Sequence, residues 1–128
     1  MVKSYKIMID TNFFLTMIRY KIHAIEEIKE TINATIYTTE GVINELKGLS
    51  KDKKIKREFA IIKKVIENEK IILLESKTNN VDQELLEKSN EYIIATNDKE
   101  LRKKINTKGG KTIYIKNLTK VEMEEICY

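Results

Sequence analysis

Tyr5-Lys6-Ile7-Met8-Ile9-Asp10-Thr11-Asn12 sets an apolar, β-branched run directly before an acid, and Phe13, Phe14 and Leu15 follow at once. The first five residues suit a half-buried pleated strand. The polar triplet suits a helix start, where such side chains accept hydrogen bonds from free N–H groups. Capping alone explains an Asp in this place, but an acid with apolar residues on both sides faces core and needs a partner there. A second stretch, Tyr92-Ile93-Ile94-Ala95-Thr96-Asn97-Asp98, repeats the pattern before a helix predicted over Lys99–Ile105.

Working outward, Ala34–Thr38, Ile71–Leu74 and Thr112–Ile115 read as further strands. Helical spacing is clearest where Ile55, Phe59, Ile62 and Ile66 share one face of Lys51–Asn68, whose opposite face is basic. Ile22, Ile25, Ile28 and Ile32 mark an earlier helix, Val42 and Leu46 a short one, Leu85, Leu86 and Ser89 another, and Val121–Ile126 a last one. Strands alternating with helices predict right-handed crossovers and a mostly parallel central sheet, hence a three-layer α/β/α sandwich. In such sheets ligands bind beyond the carboxyl ends of the strands, which is where Asp10 and Asp98 fall.

Two more acids join them. Glu45 lies near the Val42/Leu46 side of its helix. Asp82, behind an Asn80…Gln83 capping pair, is expected to point toward the sheet because Leu85 and Leu86 follow three and four residues later. Taken singly, these are a solvated glutamate and a first-turn aspartate. Together, four acids concentrate the negative charge and hard oxygen donors that Mg²⁺ or Mn²⁺ requires. Softer chemistry is not offered: His23 is the only histidine and Cys127 the only cysteine, too few for zinc or for an internal disulfide.

The 128 residues fit one domain, 1–128, with 41% hydrophobic residues to fill a core and 34% charged residues to solvate it. No apolar run approaches the ~20 residues that span a bilayer, and no secretory signal opens the chain, so a cytoplasmic protein without membrane association is expected. Lys+Arg exceed Asp+Glu by 24 to 20, an excess that permits a polyanionic partner without requiring one.

The ordered motifs Asp10-Thr11-Asn12, Val42-Ile43-Asn44-Glu45-Leu46, Val81-Asp82 and Ala95-Thr96-Asn97-Asp98-Lys99-Glu100-Leu101 resemble the PIN domain family over nearly the whole chain. The likeness is to small stand-alone archaeal members, similar to VapC-type toxin ribonucleases and to PIN endonucleases of ribosomal RNA maturation. It implies an endoribonuclease that uses Mg²⁺ or Mn²⁺, with Asp10, Glu45, Asp82 and Asp98 as catalytic and metal-binding residues. Asn12 and Thr96 look like the supporting polar residues. The partners it implies are an RNA substrate, an antitoxin or ribosome-assembly protein, and a second copy in a homodimer. One departure is Val81-Asp82-Gln83-Glu84, where relatives often carry Ala-Asp-Asp-Ala; Asp82 aligns with the first aspartate, and Glu84 sits at the wrong helical angle to replace it.

Two basic concentrations, Lys51–Arg57 and Lys99…Lys104, suit a phosphate backbone approaching an acidic site. The first also suits an ordinary solvated face. Lys99, Arg102 and Lys103, beside Asp98, are the predicted RNA contacts. Rival α/β readings fare worse: a phosphoaspartate hydrolase needs a second Asp where Asn12 stands, and Gly109-Gly110-Lys111 lacks the rest of a phosphate loop and suits a turn. The non-enzyme alternative is a catalytically inactive scaffold of the same fold that binds RNA or protein.

Overall fold

The computed structural model describes residues 3–124. Strands β1 (Tyr5–Ile9), β2 (Ala34–Thr39), β3 (Ile72–Leu74), β4 (Ile93–Ala95), β5 (Thr112–Lys116) and β6 (Lys120–Glu124) form one sheet in the order β3-β2-β1-β4-β5-β6. The first five run parallel, and β6 runs antiparallel to β5. Between them lie α1 (Thr11–Arg19), α2 (Ala24–Thr31), α3 (Glu40–Leu49), α4 (Lys53–Asn68), α5 (Val81–Lys88) and α6 (Lys99–Thr107). Contacts group α1 to α4 in one layer and α5 with α6 in the other, giving the expected three-layer α/β/α sandwich.

The central strands are covered on both sides, so their sequences are continuous apolar runs rather than alternating ones. Ile7, Met8 and Ile9 of β1 and Ile94 and Ala95 of β4 are wholly buried. Phe13 and Phe14 of α1, Leu46 of α3 and Ile62 of α4 join the same core. The chain leaves β1 toward β2 and β3, then returns to β4 on the other side of β1. That reversal leaves a crevice between β1 and β4 at their carboxyl ends, the place where ligands bind in open parallel sheets.

Local chemistry fixes the ends of the helices. α4 starts at Lys53 rather than Lys51 because Asp52 caps it, Oδ1 accepting from Lys54 N at 2.8 Å and Ile55 N at 3.2 Å. α6 ends in a Schellman turn: Gly109 takes φ +89°, and Gly110 N donates to Ile105 O at 2.9 Å. The Gly109-Gly110 pair is therefore the predicted turn before β5.

One element differs in kind. The helix predicted over Val121–Ile126 is instead β6 as far as Glu124, with Ile126 and Cys127 outside the described residues. Asn117 and Leu118 take φ 54° and 56°, and Thr119 N donates to Lys116 O, forming a tight reversal of the primed kind. The chain turns back at once onto β5, and Lys-Val-Glu-Met-Glu alternates as a strand does. Among the described residues no helix is long and apolar enough to cross a membrane.

Candidate active site

Asp10 follows β1 and caps α1; Thr96 follows β4 and stands level with it, because Ile9 pairs with Ala95 in the parallel register. Asp10 is only 3% exposed. Its Oδ1 accepts from Thr11 N at 2.7 Å and its Oδ2 from Thr96 Oγ1 at 2.7 Å. Asn12 Oδ1 accepts from Asn97 N at 3.0 Å and lies 3.2 Å from the Thr96 hydroxyl, which itself accepts from Asp98 N. Asp10, Asn12, Thr96 and Asp98 thus form one hydrogen-bonded junction between the two strand ends.

The electrostatics of Asp10 join the other two acids to this junction. Burial pushes its carboxyl up, the hydrogen bonds from Thr96 and Thr11 hold it down in part, and the nearby Asp82 and Glu45 carboxylates push it up further, from 3.8 to about 6. Asp82 and Asp98 line one cavity of about 300 Å³ between α5 and α6, together with Asn80, Leu101 and Lys104. Asp98 caps α6 through Oδ1, which accepts from Glu100 N at 2.9 Å and Leu101 N at 3.3 Å. Capping and site geometry therefore coexist in Asp98, as they do in Asp10.

Asp82 does not point toward the sheet. The buried side of α5 is Val81, Glu84 and Leu85, and Asp82 is exposed on the cavity side, with Asn80 capping the helix through Gln83 N as expected. Glu45 is also exposed. Among the described residues no three Asp, Glu, His or Cys side chains converge closely enough to hold an ion as they stand. The donor set is nevertheless chemically suited to Mg²⁺ or Mn²⁺: all carboxylate oxygens, with Asp82 and Glu45 near enough to the buried Asp10 to raise its proton affinity, a repulsion that a cation would relieve. Convergence would require the exposed Glu45 and Asp82 side chains to rotate inward.

Of the predicted RNA contacts, Lys99 and Lys103 are exposed. Arg102 is not: it is 8% exposed, its guanidinium lies 3.9 Å from the Tyr114 ring centre, and Nη1 is 3.6 Å from Glu124 Oε1. It therefore pins α6 to β5 and β6 and is buried rather than the surface contact expected from the sequence. Lys104 takes its place as the cation lining the Asp82/Asp98 cavity.

A second network escaped the sequence reading. Buried Glu84 accepts from Ser76 Oγ at 2.8 Å; Ser76 Oγ accepts from Gly41 N at 2.9 Å; and Ser76 N donates to Glu40 Oε1 at 2.9 Å. This clasp ties the helix carrying Asp82 to the one carrying Glu45. A Cβ on Gly41 would stand 3.3 Å from both Glu84 Oε1 and Ser76 Oγ, so the clasp leaves little room there for a side chain. The available signal was the spacing Val81, Glu84, Leu85, which puts the glutamate on the buried face. Ser76→Ala, which strips a buried carboxylate of its donor, should lower stability in urea unfolding by about 2 kcal/mol.

A mostly parallel α/β sheet with a buried carboxylate, Asp10, at its switch point defines an α/β domain whose candidate site lies at the carboxyl end of the sheet. The chain belongs to the PIN like domain family, which it matches over residues 7–118. It is 34% identical over 108 residues to a protein named Ribonuclease VapC4 from Methanocaldococcus jannaschii, covering 79% of this chain and 82% of that one. Among solved structures, the PIN domain endonuclease Utp24 is similar with a TM-score of 0.77 at 22% identity, over 95% of this chain and 92% of that one. A domain of a functionally unknown protein from Methanocaldococcus jannaschii is similar with a TM-score of 0.60 at 17% identity, over 97% of each chain. At these identities the two structures bear on the fold.

Proposed function

We propose that this chain, acting as a single PIN-like domain, is a Mg²⁺- or Mn²⁺-dependent endoribonuclease whose site is Asp10, Glu45, Asp82 and Asp98. The observation that carries the reading is the buried Asp10 carboxylate at the β1/β4 switch point, with two further acids near enough to raise its proton affinity. Membership of the family and 34% identity to a protein named a ribonuclease support it.

In this reading Asp10 is held in one orientation by Thr11 N and the Thr96 hydroxyl, so it meets a ligand without reorganisation. Asn12 Oδ1 fixes the backbone at Asn97 and lies beside the Thr96 hydroxyl. Asp98 keeps one oxygen on the helix cap, leaving Oδ2 for the cavity it shares with Asp82. Glu45 and Asp82, on two helices held together by the Ser76–Glu84 clasp, would swing inward to complete the site around Asp10. A divalent ion held there would supply charge neutralisation at the scissile phosphate and would lower the pKa of a water so that hydroxide is available near neutral pH. Lys99, Lys103 and Lys104 attract the RNA backbone toward these acids.

The 34% identical relative favours a VapC-type toxin role, with a protein antitoxin as partner, over ribosomal RNA maturation. Expression of this chain alone should then arrest growth, and an antitoxin encoded beside it should restore growth when co-expressed. The reaction itself is tested by incubating purified protein with total RNA and either metal and mapping the ends produced. Defined fragments that vanish with chelator are expected. Intact RNA that shifts in a gel with both metals would instead identify a binding scaffold and overturn the enzymatic reading.

A further inference from the structure

We infer that the outer face of α4 is a track for the RNA backbone, an inference that rests on the ribonuclease reading and extends it to the opposite face of the sheet from α6. Lys53, Arg57 and Lys64 recur at the spacing of the core stripe Ile55, Phe59 and Ile66, two residues earlier, and so form a straight line along the side facing away from the core. Lys56 and Lys63 form a second line beside it. All five are exposed, and among the described residues none has an ion-pair partner.

A solvated surface helix usually interleaves its charges, as α2 does with Glu26, Glu27, Lys29 and Glu30. On α4 the acids do not serve that purpose. Glu58 is turned inward, accepting two hydrogen bonds from Arg19 at 2.8 and 3.1 Å, and Glu67 stands in the last turn. Lys53 repels Arg57 at i, i+4 and Lys56 at i, i+3, a cost that a polyanion would remove. Position completes the case. β2 ends on the Asp10 side of the sheet, α3 carries Glu45, and α4 then returns to begin β3 at the opposite edge, so Lys53 lies toward the acids and the cationic line runs away from them. Its ~16 Å from Lys53 to Lys64 is several times the ~3.4 Å of helix axis per phosphate on one strand of duplex DNA, long enough to meet more than one phosphate. The acid cluster then sits between two basic helices, α6 on one face of the sheet and α4 on the other.

The test measures fluorescence anisotropy of a labelled single-stranded RNA across a KCl series, in Asp10→Asn protein so that bound RNA stays intact. Adding Lys53→Ala, Arg57→Ala and Lys64→Ala should lower the salt slope by about two, at ~0.7 per phosphate contact on a single strand, and weaken binding at low salt at least about ten-fold. Lys53→Arg with Lys64→Arg should preserve both, and melting curves confirm that each variant is folded. Removing Lys3, Lys88 and Lys108, which precede or end elements at the opposite end of the sheet, should leave the slope unchanged. An unchanged slope in the α4 variant, an equal loss in the Lys3/Lys88/Lys108 variant, or no RNA binding at all would overturn the track; an unchanged slope would leave the α4 face to an acidic polypeptide instead. Cleavage by the protein with Asp10 intact is assayed in parallel, so a track that binds RNA without any cleavage refutes the ribonuclease reading and not the track.

Discussion

Asp10→Asn should abolish RNA cleavage and, in chelator, make the protein more stable. The rate is expected to fall on the order of a thousand-fold, because a lost metal ligand removes several kcal/mol of charge stabilisation and each ~1.4 kcal/mol is ten-fold. The stability change runs the other way. A buried carboxyl raised from 3.8 to about 6 takes up its proton more readily folded than unfolded. Its ionisation therefore costs nothing below about pH 4, costs increasingly between pH 4 and 6, and reaches at most ~3 kcal/mol above pH 6. Unfolding of the chelated proteins should show Asn at position 10 and Asp equal near pH 4, and Asn ahead at pH 7. Equal stability at both pH values would mean that Asp10 carries no such burden.

Thr96→Val is expected to produce the second largest loss. The residue is wholly buried, and its hydroxyl donates toward Asp10 Oδ2 while accepting from Asp98 N. Valine fills a similar shape but leaves Asp10 Oδ2 without a donor and the Asp98 amide without an acceptor. Loss of a partner that orients a metal ligand typically costs 10- to 100-fold in activity or metal affinity, and the unpaired buried groups should cost ~1–3 kcal/mol of stability. Thr96→Ser keeps the hydroxyl and should retain most of both. If valine and serine behave alike, the hydroxyl is not what organises the junction.

Much of this arrangement is legible in the sequence. Strands buried on both faces are written as short apolar runs, and the polar triplets after β1 and β4 marked the junction that the parallel register brings level. The 4-3-4 spacing of Ile55, Phe59, Ile62 and Ile66 gave α4 its inner face and, by subtraction, its cationic outer one. What escaped depends on contacts distant in sequence. Arg102 adjoins the Leu101/Ile105 face of α6, and only the arrival of Tyr114 and Glu124 buries its guanidinium. Ser76 and Glu84 acquire a role only when α3 and α5 meet over the sheet end. Five residues of β6 are too few for periodicity to separate strand from helix, and the deciding signal was the tight reversal at Asn117 and Leu118. Asp82 was placed by its spacing to Leu85 and Leu86, whereas Val81, Glu84 and Leu85 set the orientation of α5.

The measurement that bears most directly on the acid cluster is Mn²⁺ binding itself, followed by loss of the free-ion electron paramagnetic resonance signal as metal-free protein is added. The protein with Asp10 intact should remove Mn²⁺ from solution in stoichiometric amounts, and Asp10→Asn protein, folded by its melting curve, should leave the signal nearly unchanged. Equal binding by both proteins, or none by either, would contradict the assignment of Asp10, Glu45, Asp82 and Asp98 as a divalent-metal site.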